Sequence, residues 1–210
     1  MPEGTVHSEL LRRPGKLYVL ASHFHPDHFN KEVLQWREQR PDIIYIFSKD
    51  ILRHRRAQKE DAVWLKKGEE YKDETLSVRA FGSTDVGVSF LLQAGGKKIF
   101  HAGDLNNWHW MDESTEAEWK GAEKNFLHEL DDLYAYTPEV DVAMFPVDPR
   151  LGKEYMRGAG QFVTKIKTHI FVPMHFTPEY AKANAFRDFA EAHGVRFVSL
   201  THRGQKIEIE

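Results

Sequence analysis

Short apolar runs separated by polar turns recur along the chain, and their periods differ. Residues 17–20, 43–47, 63–65 and 170–174 are compact apolar stretches of strand length. Residues 76–81 alternate instead, placing Leu76, Val78 and Ala80 on one face of a strand. Residues 86–93 and 97–101 flank Ala94-Gly95-Gly96, which reads as a hairpin. Residues 140–145 predict a strand stopped by Pro146 and Pro149, and 195–200 and 206–209 predict closing strands.

Helical periods lie between these runs. Phe29, Val33 and Trp36 are spaced i, i+4, i+7 and end before Pro41. Ser48 reads as the N-cap of a helix over 49–57. A polar-rich helix is expected over 116–133 and another over 154–167. Thr177-Pro178 has the form of an N-cap followed by a first-turn proline. The helix it opens buries Ala183, Phe186 and Ala190 and stops at Gly194. Strand–helix alternation at both ends, with hairpins between, predicts a layered α/β protein.

The 210 residues show no repeat and no low-complexity linker, so one domain over 1–210 is expected, with 1–16 irregular. Hydrophobic residues at 41% support a sizeable core. A net charge of −3 argues against a nucleic-acid partner. No apolar run approaches a membrane span or a signal-peptide core, so a cytoplasmic protein without a membrane partner is expected. The absence of cysteine excludes disulfides, thiolate nucleophiles and Cys-ligated zinc. With 12 histidines, any metal is then held by imidazole and carboxylate.

The densest chemistry is Ser22-His23-Phe24-His25-Pro26-Asp27-His28, directly after the first strand. His23 and His25 share parity, and Asp27 and His28 follow where the chain turns. Four candidate ligands in six residues can serve one metal or two adjacent ones. Two further strand ends carry candidates, Asp104 after 99–103 and His175 after 170–174. Alone, Asp104 reads as a capping carboxylate and His175 as a structural histidine. Beside the histidine cluster both read as ligands.

The ordered set H-x-H-x-D-H, then G-D after a strand, then P-M-H resembles the metallo-β-lactamase-fold hydrolases. Residues 141–150 followed by 171–175 are similar to the branch that includes ascorbate-6-phosphate lactonase. The resemblance runs from about residue 17 to the C-terminus. It implies an αββα four-layer sandwich with metals at one edge between two sheets. It also implies that His23 and His25 hold one metal, Asp27, His28 and His175 a second, and Asp104 both.

Two departures stand out. The family usually carries another His on the loop before the central hairpin, where this chain has Ser83. Asp85 then either substitutes as a ligand or shapes its loop as an Asx-turn. Such folds also open with a strand pair, whereas only 22 residues precede His23 and 1–16 has no strand pattern. A sandwich lacking its first strand pair is therefore open.

The expected function is hydrolysis of an ester, lactone or phosphodiester by a water whose pKa one or two divalent ions, zinc or manganese, bring toward neutrality. Asp27 would orient that water as the catalytic carboxylate. Ser83, Thr84, Asp85, Asp148 and Arg150 are the candidate substrate-binding residues, Arg150 offering a planar fork to an anionic small molecule. The alternatives are a nuclease or phosphodiesterase, and a non-catalytic metal-binding protein with an incomplete first site. Trp108-His109-Trp110 reads equally as pocket wall or core. Arg53-His54-Arg55-Arg56 reads as a solvated helix face rather than a phosphate site.

Overall fold

The computed structural model describes residues 8–208. Three parallel strands, β1 (Tyr18–Ala21), β2 (Ile44–Ser48) and β3 (Val63–Leu65), form a small sheet in that order. The larger sheet has seven strands. Its first half is antiparallel: β4 (Glu70–Lys72), β5 (Ser77–Phe81), β6 (Ser89–Ala94) and β7 (Lys97–His101). Its second half is parallel: β8 (Glu139–Pro146), β9 (Lys167–Met174) and β10 (Arg196–Phe197), giving the order β10-β9-β8-β7-β6-β5-β4.

Strand periodicity distributes the core. In β2, Tyr45 and Phe47 face outward onto Phe29, Ile43 and Ile51, whereas Ile46 faces the other sheet. Ile46 and Leu65 meet Leu76, Val78, Ala80, Val88 and Phe90 between the sheets. The outer face of the large sheet buries Phe81, Phe100, Phe145 and Phe171 under helices α3 (Glu116–Tyr136), α4 (Arg157–Lys165) and α6 (Arg187–Ala192). Helix, sheet, sheet and helix layers thus follow one another, the mixed α/β arrangement expected of the metallo-β-lactamase fold. Asp73, in the turn after β4, ties the sheets together by accepting from Tyr18 Oη at 2.7 Å and Tyr71 Oη at 2.9 Å.

The small sheet ends at β1, which pairs on one side only among the described residues. On the large sheet, Val142, Ile170 and Val172 pack on Val198, with Leu200 and Ile207 of the C-terminal segment against them. No described helix is long and apolar enough to cross a membrane.

Several expected elements differ in form. Residues expected to be irregular include a helical turn, α1 (Ser8–Leu11), and 1–7 lie outside the described residues. The helix expected from Phe29 is a 3₁₀ helix (Lys31–Glu38), because Asn30 caps it by accepting from Glu32 N and its ends close with i→i+3 bonds. Helix α2 (Lys49–Arg53) is shorter than 49–57, and Ser48 precedes it without a side-chain cap bond. Arg55, at φ 53°, turns the chain out of it. Thr177 is not a cap; it sits at φ 33°, and the segment divides into α5 (Tyr180–Asn184) and α6. Residues 206–208 form no strand, and the last part of that expected strand lies outside the described residues. Residues 70–72 pair with β5 as β4, a strand the apolar pattern does not show because Glu70 and Lys72 are exposed.

Candidate metal centre

Strands β7, β8 and β9 run parallel, so their C-terminal ends open onto one edge, the place where such sheets bind ligands. The segment after β1 reaches the same edge. Val88 N donates to Ser22 O at 3.0 Å, joining the histidine segment to the start of β6. The approach is close. A Cβ on Gly87, at φ +76°, would lie 2.1 Å from Ser22 O and 2.4 Å from His23 Cβ. Only glycine serves there, by conformation and by space.

Six side chains converge at this edge. His23, His25 and Asp104 offer ligand atoms within 4.8 Å of one another, and so do Asp27, His28 and His175. Asp104 stands between the two groups. Its Oδ2 lies 3.2 Å from His23 Nε2, and its Oδ1 lies 3.1 Å from His28 Nε2 and 3.4 Å from His175 Nε2. Each carboxylate oxygen addresses a different group.

These donors fit divalent ions. His23 is fully buried, and neither its Nε2 nor Asp104 Oδ1 makes a hydrogen bond of acceptable geometry. A buried polar atom left so costs about 1–3 kcal/mol. Behind them, Ser22 Oγ lies 3.1 Å from His23 Nδ1 and 3.5 Å from His28 Nδ1. One hydroxyl donates one proton, so at least one imidazole donates to it through Nδ1. A neutral ring so held turns an Nε2 lone pair on Asp104, a repulsion that a cation between them removes. Burial, opposed in part by Asp104, lowers the His28 pKa to about 4, leaving that ring neutral at pH 7. Burial also opposes charge on Asp104, but the three histidines outweigh it and hold its pKa below the ordinary value.

His175 is oriented by a carboxylate of its own. Its Nδ1 lies 2.9 Å from Asp148 Oδ2, the carboxylate–histidine pairing that fixes ring and tautomer in metal sites. Burial works against charge on His175, and the Asp148 hydrogen bond and the Asp104 charge override it, so its pKa is raised. The residue follows β9 in the left-handed region at φ 62°, a costly conformation for a non-glycine residue.

The substrate-binding expectations divide. Thr84, Asp85 and Arg150 line a cleft of about 380 Å³ together with His25, Asp27, Asp104, Trp108, Trp110 and His175. Asp148 is 0% exposed and already accepts from Arg150 and His175, so it contacts no substrate. It positions the other two. Ser83 is not among the residues lining the cleft; its Oγ accepts from Asp85 N at 3.4 Å. The Thr84 hydroxyl is committed to Asn106, donating to its O at 2.5 Å and accepting from its N at 3.0 Å. Asp85 Oδ2 lies 3.9 Å from His25 Nδ1, on the ligand-poor side. His101 accepts from Gly103 N at 3.1 Å and is held neutral by burial, so it shapes the turn before Asp104.

Ser22 is the positioning residue that sequence reasoning passes over, since a serine before a histidine looks like any turn serine. Ser22→Ala is expected to weaken metal binding about tenfold at both groups. Turnover at saturating metal should change less. Chelator competition measures the first, and unaltered affinity would remove the role.

Residues 7–176 match the family model described as the Beta-lactamase superfamily domain. Among solved structures, a candidate metal-dependent hydrolase from Parabacteroides distasonis aligns with a TM-score of 0.58 at 16% identity, over 90% of this chain and 77% of that one. Igni18, a metallo hydrolase from the archaeon Ignicoccus hospitalis, aligns with a TM-score of 0.59 at 16% identity, over 88% and 76%. CmlA, a diiron β-hydroxylase from Streptomyces venezuelae, aligns with a TM-score of 0.56 at 14% identity, over 88% of this chain and 44% of that one. At these identities the likeness shows the fold alone. No curated protein matches the chain.

Proposed function

The chain belongs to the beta-lactamase superfamily, and from that premise we propose that it is a metal-dependent hydrolase of an ester, lactone or phosphodiester in a small anionic molecule. One observation carries the reading. Asp104 presents one oxygen to each of two ligand groups at the mouth of a cleft. His23, His25 and Asp104 would hold one divalent ion, and Asp27, His28, His175 and Asp104 a second. Zinc suits the imidazole share of the set, and manganese its carboxylates. Such ions, when bound, lower the pKa of a water toward neutrality and polarise the oxygen of the bond to be cleaved.

The protein's own residues supply order. Asp27, 71% exposed at its side chain and 3.5 Å from His28 Nε2, would accept a proton from a water entering the cleft. Ser22 and Asp148 fix the imidazoles from behind. Arg150 receives the anionic portion. The motifs at 141–150 and 171–175 support the lactonase-like branch, so a lactone heads the substrates to test. The shared fold of CmlA, a diiron β-hydroxylase, supplies oxidative chemistry as the contrasting reading.

The test is metal analysis of the purified protein beside a panel of lactones, carboxylic esters and phosphodiesters. Metal-dependent cleavage of one class, abolished by chelation and restored by zinc or manganese, is expected. Tightly bound metal with no cleavage in the panel would favour a non-catalytic metal-binding protein.

A further inference from the structure

The loop after Asp104 is built in two directions. Asn107 and His109 point into the body and are buried, at 0% and 1% exposure. Asn107 Nδ2 donates to Glu123 at 3.0 Å and to Gln161 at 2.9 Å. His109 Nδ1 accepts from Met111 N at 3.1 Å, so its Nε2 carries the proton and donates to Glu154 O at 3.1 Å. Trp108 and Trp110, alternating with them, line the cleft. Trp110 is held at φ 42°, a conformation that a bulky residue keeps only where its surroundings impose it. The anchors at 107 and 109 are that surrounding.

The two indoles have different work. Trp108 Nε1 donates to Asp104 O at 2.8 Å, and its ring meets His175 edge-on at 5.4 Å. It is committed to the ligand residues. Trp110 lies nearly parallel to Trp108, at 6.3 Å and 16°. A third ring between them would need roughly 7 Å or more. A ligand ring therefore meets Trp110 on its cleft side. The same cleft holds Arg150, whose Nε and Nη2 bind Asp148, while Nη1 has no hydrogen bond among the described residues. Its side chain is 56% exposed. A flat aromatic face and a guanidinium edge thus frame one small cleft.

We propose that this site selects an anion carrying a planar ring, with the ring stacked on Trp110 and the negative group on Nη1 of Arg150. Placing the scissile bond beside Asp104 rests on the hydrolase reading; the ring and anion subsites do not. Trp110 is a specificity-determining residue, and a cleft of about 380 Å³ has the size of a small-molecule site rather than a polymer groove.

Phenylphosphonate and methylphosphonate test it, because they share one anionic group, differ by the ring and are not hydrolysed. Calorimetric titration of the full chain as purified is expected to show phenylphosphonate binding about tenfold tighter. That advantage should fall below about threefold in Trp110→Leu, which stays apolar but has no ring, and persist in Trp110→Phe, which keeps a ring. Arg150→Ala should weaken both probes alike and leave their ratio unchanged. Thermal melting confirms that each variant folds. Equal affinities, a ring advantage that survives in Trp110→Leu, no effect of Arg150→Ala, or no binding of either probe at about 10 mM, well above ordinary substrate levels, would each overturn the proposal. Failure of the hydrolase reading shows separately, as no cleavage in the panel while the ring preference stands.

Discussion

Asp104→Ala is expected to lose bound metal and turnover together. Its two oxygens face His23 on one side and His28 and His175 on the other, at 3.1–3.4 Å. On the two-metal reading, removing them would take a negative charge from between two cation positions and a ligand from each. Mutual repulsion between the ions then rises, and at least one leaves. A fall in rate of about a hundredfold or more, equivalent to about 2.7 kcal/mol, is the scale for a group that holds the catalytic ions in place. Asp104→Asn should lose the charge but keep the shape, which separates electrostatics from packing around this 5% exposed residue. Asp85→Ala should cost less, because Asp85 approaches only His25, and at 3.9 Å. Metal stoichiometry beside turnover on the identified substrate decides the matter. An Asp104→Ala protein with full metal and full rate would end the two-metal reading, since no other carboxylate faces both groups among the described residues.

Asp148 is the second position where one change should have a large effect. Arg150 donates to it through N at 3.0 Å, Nε at 3.0 Å and Nη2 at 2.6 Å, and His175 Nδ1 lies 2.9 Å away. Asp148→Asn keeps the volume and removes the charge. His175, already at an unfavourable φ, then has at most a neutral amide oxygen in place of the carboxylate that sets its ring. Metal affinity should fall about ten- to a hundredfold. The loss of stability should be about 1–3 kcal/mol, because the exposed Arg150 can turn to water instead of staying unpaired inside.

The same pair sets a pH dependence in the metal-free protein. Burial disfavours the charged carboxylate, but the bonds from His175 and Arg150 prevail and hold the Asp148 pKa at about 2, below its ordinary 3.8. Between these values the unfolded chain binds more protons than the folded one. The contribution, on the order of 2 kcal/mol, is therefore complete above pH 3.8 and lost as pH falls through about 2. Denaturant titrations from pH 5 to about 2 should show a steeper loss in the parent than in Asp148→Asn. Parallel curves would show that Asp148 is no better held folded than unfolded.

Much of this was legible in residue order because it rests on local rules. The alternation of Leu76, Val78 and Ala80 places one face of β5 between the sheets whatever else the chain does. Gly95-Gly96, both at positive φ, closes the β6–β7 hairpin as two-residue loops require. The H-x-H-x-D-H segment brings four side chains to one strand end without any long-range information. Local rules fail where partners are distant. Ser48 looks like a cap, yet its side chain makes no cap bond. The β4 strand has no apolar signal and exists because β5 offers it an edge.

At the metal centre the same division holds. Residue types and strand ends pick out His23, His25, Asp27, His28, Asp104 and His175 as candidates, since ligands on parallel strands collect where the strands end. Whether Asp148 meets substrate or supports His175 is a matter of which way its side chain points after β8, and burial against Arg150 and His175 answers it. The opposed facing of Asn107 and Trp108 depends on Glu123 and Gln161, which belong to helices 16 and 54 residues further along. Strand periods, turn chemistry and ligand types are set by neighbours in the chain, because backbone sterics and side-chain valence act over a few bonds. The roles of Ser22, Asp148 and Trp110 come only with the fold, because hydrogen bonds and stacking act through space, between residues that the chain itself keeps apart.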